Sequence, residues 1–184
     1  DFHFPYVQVD TSDRGPVNCV YPEDEKAGLL AVRHLAGLGH RDIAYVNTYV
    51  AHHVCASTRL EGYLAGMAEL GLRTRGGYRA RPLEERLTEL FASGGGPTAL
   101  FCFDDDVATY ALRFLWARRV RVPDDVSLVG VNDMPMAARL VPALTTVSTY
   151  ADRMGTLACE MLLARIESGK DQPSRAVTPE LIVR

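Results

Sequence analysis

Lysine is nearly missing from this chain: Lys26 and Lys170 are the only two among 20 cationic residues, which face 23 acids for a formal net charge of −3. A surface that holds DNA phosphates needs an excess of positive charge, so this segment is not itself a DNA-contacting part. Cysteine is sparse and scattered, at Cys19, Cys55, Cys102 and Cys159. With no C-x-x-C pair and no histidine at ligand spacing, neither a zinc site nor a disulfide framework is expected, and a reducing cytoplasm fits best. No apolar run approaches the ~18 residues that suggest a membrane span, and the opening DFHFPYVQVD lacks a basic region followed by an apolar stretch. Motifs of catalysis and cofactor binding are absent too. There is no G-x-S-x-G elbow, no glycine loop ending in Lys-Ser/Thr, no H-E-x-x-H and no G-x-G-x-x-G after a strand. No cofactor, no metal and no enzymatic activity are expected.

What is present is an ordinary globular composition, 47% hydrophobic and 23% charged over 184 residues, enough for one well-buried domain. Short apolar or β-branched runs at 6–9, 43–47, 99–103, 126–131, 145–147 and 181–183 alternate with amphipathic runs at 23–38, 58–70, 83–92, 105–118 and 150–166. That alternation predicts an α/β fold with a mostly parallel sheet flanked by helices. Punctuation agrees: Gly37-x-Gly39 and Gly71 close the first two helices, Gly94-Gly95-Gly96-Pro97 follows the third, and Pro123-Asp124-Asp125 precedes a strand.

In open α/β sheets ligands bind beyond the carboxyl ends of the strands, and here those ends are polar. The strand at 99–103 runs into Asp104-Asp105-Asp106, that at 126–131 into Asn132-Asp133, and that at 43–46 into Asn47-Thr48 and a loop leading to Ser57-Thr58-Arg59. Carboxylates, amides and an arginine suit a neutral polyhydroxylated or heterocyclic small molecule, with Tyr21 and Tyr78 as available aromatic covers. The acids have a second reading as cap and first-turn residues of the next helix. His40 reads as a structural side chain before a strand, and His52-His53 as an exposed pair that forms no chelate alone.

In order and spacing, several fragments together resemble the effector-binding core of LacI/GalR transcription regulators along almost the whole chain. They are Leu35-x-x-x-Gly39-His40-Arg41-x-Ile43-Ala44, Arg59-Leu60-x-Gly62-Tyr63, Pro97-Thr98-Ala99 with Asp105-x-x-Ala108, and Val122-Pro123-x-Asp125-Val126-Ser127-Leu128-Val129-Gly130. Pro142-x-Leu144-Thr145-Thr146-Val147, Met154-Gly155-x-x-Ala158 and Pro179-Glu180-Leu181-Ile182-Val183-Arg184 complete the set.

The resemblance implies a periplasmic-binding-protein type I-like core, mainly its C-terminal subdomain, with a small effector in the cleft between two subdomains. Residues 1–21 would end the N-terminal subdomain and cross over, 22–148 would form the C-terminal effector-binding subdomain, and 149–184 would supply a crossover helix and a C-terminal strand returning toward the other subdomain. It implies ligand contacts at Arg59, Asp104, Asn132, Tyr78, Tyr21 and, at the hinge side, Thr149. Where the family usually has Asn-Asp this chain has Asp104-Asp105, and where it usually has Asp-Asp it has Asn132-Asp133, so acid and amide are exchanged. The implied partners are a small-molecule effector, a carbohydrate by preference, operator DNA through an N-terminal head that is not in this chain, and a second copy in a homodimer. The alternatives are a solute-binding protein of a sugar transporter and an α/β enzyme.

Overall fold

The computed structural model describes residues 4–10, 15–47, 54–75, 82–92 and 95–184. The expected alternation holds, and the mostly parallel α/β architecture is present as two sheets. The larger has five strands in the order β3 (Ile43–Val46), β4 (Ala99–Cys102), β5 (Ser127–Val131), β6 (Thr145–Ser148) and β8 (Glu180–Ile182). Its first four strands are parallel, and β8 closes the edge antiparallel to β6, with Thr146 opposite Ile182. The smaller sheet joins β1 (Gln8–Val9), β2 (Cys19–Pro22) and β7 (Arg175–Val177), all parallel. The strand that enters the small sheet from the C-terminal region is thus β7, while β8 lies in the large one.

Every residue of β3 and β4 is buried, as the continuous apolar runs require for strands covered on both faces. Helix α1 (Asp24–Gly37) packs against α2 (Val54–Glu69), and α3 (Leu83–Phe91) against α4 (Asp105–Ala117). Tyr45, Phe101 and Tyr63 form an aromatic centre, with ring centroids 5.7 Å apart for Tyr45 and Tyr63 and 5.2 Å for Tyr45 and Phe101. The Tyr63 hydroxyl, deep in this core, donates to the Ile43 carbonyl at 2.9 Å, so α2 is pinned to β3 without a stranded polar atom.

The two helices α1 and α2 meet backbone to backbone. A methyl group added at Gly62 would stand 2.0 Å from the Glu25 carbonyl oxygen, and one at Gly28 2.3 Å from that of Arg59. Only glycine permits this approach, and it brings the Arg59 side chain within reach of the first turn of α1.

Helix α5 (Ala151–Ser168) packs on the small sheet, where Met154, Ala158 and Met161, spaced four and three apart, close over Val20 and Val177. Burying each methionine contributes roughly 1.5–3 kcal/mol. Gly169, at φ 66°, ends the helix in the left-handed region. The chain therefore passes between the sheets three times: from β2 into α1, from β6 into α5, and from β7 into β8.

His40 bridges two strand starts, with Nδ1 3.0 Å from Thr98 Oγ1 and Nε2 2.9 Å from Ser127 Oγ. Burial lowers its pKa, and its position, at the amino ends of β4 and β5, makes it a structural side chain. His52 and His53 lie outside the described residues.

Candidate functional site

The carboxyl ends of β3 to β6 lie along one edge of the large sheet and bring Asn47, Phe103-Asp104-Asp105, Asn132-Asp133 and Thr149 to the same side. Arg59, on α2, reaches into the middle of this row and is only 3% exposed. Its Nε donates to Asp24 Oδ1 at 2.8 Å, one terminal nitrogen to the Phe103 carbonyl at 2.7 Å, and the other to Asn132 Oδ1 at 3.2 Å. The guanidinium also lies over the Phe103 ring, 4.6 Å from its centroid. Three of the five N–H donors are taken in these bonds.

A buried guanidinium costs several kcal/mol to desolvate unless a charge compensates it. Asp24 does so, and it is itself fully buried. No spacing signal marks Asp24 in the sequence, because its partner is 35 residues away and the pairing depends on the glycine contact between α1 and α2.

Asp104 is the N-cap of α4, its Oδ1 accepting from the Val107 amide at 2.7 Å, with a further bond from the Asp106 amide. Burial raises its pKa. Asp105 is fully buried and accepts from the Thr146 hydroxyl at 2.6 Å and the Met134 amide at 2.7 Å. Burial pushes its carboxyl up to about 6. A side chain at Gly130 would collide with it, since a Cβ there would sit 2.3 Å from Asp105 Oδ1. Asp106 is exposed. The cap geometry is therefore the observed state of Asp104, whatever else touches it.

Asn132 and Asp133 both have positive φ, 102° and 51°, a conformation that asparagine and aspartate adopt more readily than most residues. The turn presents the Asn132 amide oxygen to Arg59 on one side and to the Thr149 hydroxyl, which donates at 3.4 Å, on the other. Asp133 accepts from Arg184 at 2.6 Å. The structure thus brings Arg59, Asn132 and Thr149 into one hydrogen-bonded chain, with Asp104 beside it, in the field of the Arg59 guanidinium. Tyr21 is half-buried in β2 of the small sheet, three residues before Asp24, and Tyr78 lies outside the described residues. Among the described residues no cluster of His, Cys, Asp or Glu could hold a metal ion, and no helix is long and apolar enough to cross a membrane.

Residues 32–184 match the profile of the periplasmic binding protein-like domain family. The HTH-type transcriptional repressor PurR of Haemophilus influenzae (strain PittEE) is 32% identical over 190 residues, 98% of this chain and 56% of that protein. A LacI family transcriptional regulator from Mycobacterium smegmatis superposes with a TM-score of 0.85 at 32% identity, over 97% of this chain and 68% of that one. The chain belongs to the periplasmic-binding-protein-like family, in its LacI/GalR regulator branch. A third similar structure is the transcriptional regulator CelR in complex with cellobiose, at TM-score 0.87 and 26% identity over 98% of this chain and 58% of that one.

The curated relatives are named as transcriptional repressors, a role unlike the enzymatic reading of the Asp104 to Asp106 run. This chain spans about half the length of those relatives.

Proposed function

We propose that this chain is the effector-sensing core of a cytoplasmic LacI/GalR-type repressor, and that a small polar effector, of the sugar class, binds at the carboxyl edge of the large sheet. The observation that carries this reading is the Arg59 fork. It is buried and charge-compensated, it is tied to Asn132 and through it to Thr149, and it has two N–H donors left over for oxygens of a ligand. Similarity to a regulator complexed with cellobiose supports a carbohydrate. Operator DNA would be held by an N-terminal head in the part of the protein that precedes this core, and effector binding would act on it by shifting a population between two arrangements of the subdomains.

The working unit is a homodimer. A groove of about 1010 Å³ beside α4 is lined by Leu112, Trp116, Val120, Val122, Val141 and Arg113. Trp116 is 78% and Val141 91% exposed, an uncommon cost for large apolar side chains unless a partner covers them.

Calorimetric titration of the full-length protein with free sugars tests the sensing reading. Binding that is lost in Arg59→Lys, a variant that keeps the charge but not the fork, supports it. Binding that survives unchanged in that variant, or a folded protein that takes no sugar, refutes it.

A further inference from the structure

The site holds two features that ordinarily receive anions, an arginine fork and the N-terminus of a helix, and the protein fills both with its own carboxylates. The fork of Arg59 is neutralised by Asp24 at 2.8 Å, inside the protein on both sides. The first amides of α4 are taken by Asp104, whose carboxylate accepts from Val107 and Asp106.

Among the described residues, Asp24 pairs with Arg59 and Asp104 stands close enough for the guanidinium to lower its pKa. Burial raises the thiol pKa of Cys55, in the first turn of α2; Arg59 opposes that rise, and Asp24 and Asp10 add to it.

We propose that this site selects uncharged effectors and rejects phosphorylated or carboxylated ones, because the arginine fork and the helix N-terminus that it presents among the described residues are each already occupied by an internal carboxylate. The inference rests on the sensing role proposed above and narrows its ligand class. Arg59 keeps N–H donors for hydroxyl or carbonyl oxygens, while its charge already faces the Asp24 carboxylate. A phosphate placed at the mouth of α4 would meet Asp104 directly, and like charges brought together across a binding interface lose orders of magnitude in affinity.

The test is calorimetric titration of the full-length protein with matched pairs: glucose and glucose 6-phosphate, ribose and ribose 5-phosphate, adenine and adenosine monophosphate, together with inorganic phosphate alone. The expected result is that an uncharged member binds and its phosphorylated partner is weaker by at least about 100-fold. In Asp104→Asn, which retains a good helix cap, that gap should narrow by about tenfold or more. A phosphorylated member or inorganic phosphate binding as tightly as any uncharged compound overturns this inference and leaves the sensing role standing. A gap unchanged in Asp104→Asn also overturns it. If folded protein binds no compound of either kind, the sensing role falls and this inference with it.

Discussion

Replacing Asp105 by asparagine should reshape how stability depends on pH. In the folded protein the carboxyl is fully buried and pushed up to about 6, while an unfolded chain holds it near 3.8. Burial is the leading cause; the neighbouring charges of Asp133 and Asp104 add to it, and hydrogen bonds from Thr146 and Met134 oppose it. A shift of just over two units corresponds to about 3 kcal/mol. The sign follows from linkage: the folded state binds the proton more tightly, so this group's favourable contribution is complete below about pH 4 and is lost as pH rises through about 6. Asparagine does not titrate. It can still accept one bond with Oδ1, while its amide requires Thr146 to accept instead, at a cost of about 1–2 kcal/mol that does not vary with pH. Urea unfolding of both proteins at half-unit steps from pH 4 to 7.5 measures the difference directly. Asp105→Asn should be the less stable protein at pH 4 and should gain on wild type by about 3 kcal/mol by pH 7. A difference that stays constant within about 0.5 kcal/mol over that range would refute the assignment, because a buried carboxyl that ionises at no cost is not desolvated.

Three further outcomes follow from the packing. Gly62→Ala drives a methyl into the Glu25 carbonyl and must separate α1 from α2, so it should cost about 1–3 kcal/mol, read as a lower thermal midpoint, and weaken effector binding by moving Arg59. His40→Ala should lose about 1–2 kcal/mol with effector affinity unchanged, since His40 joins Thr98 and Ser127 at the opposite edge of the sheet; a change in calorimetric affinity would contradict that separation. Arg59→Ala should destabilise by about 3–5 kcal/mol by removing the cation that compensates the buried Asp24, and adding Asp24→Asn should restore part of the loss, whereas additive losses in denaturant unfolding would show that the two do not interact.

The central strands were readable because burial on both faces imposes an unbroken apolar run, as in Ala99–Cys102. Strands β2 and β7 were not. Cys19–Pro22 ends in proline, Arg175–Val177 is three residues long with an exposed arginine, and they are held by pairing Val20 with Arg175 across most of the chain rather than by local preference. The acidic run after β4 was legible both as a possible ligand surface and as a helix cap, and the geometry supplies the cap. What local sequence could not reveal is that Arg59 is completed by Asp24. A salt bridge between two helices depends on their crossing point, and that is set by two glycines whose meaning appears only when the backbones touch.

The same crossing point explains why a contact at Arg59 can be felt beyond its own sheet. Asp24 opens α1 directly after β2 of the small sheet, and Thr149 follows β6 just before α5, which packs on that sheet. Arg59 binds the first, and Asn132 joins it to the second. Two of the three passages between the sheets are therefore linked to one buried cation, the first directly and the second through Asn132. The third passage is tied in as well, because Thr178 donates to Glu23 at 2.6 Å and Tyr150, at φ 54°, bonds to Glu180. A ligand that drew on the unused Arg59 donors would bear on all three passages at once. Under the proposed sensing role, those bonds would be the source of an effector's differential free energy between arrangements of the two sheets, and without such a difference no ligand can shift a conformational equilibrium.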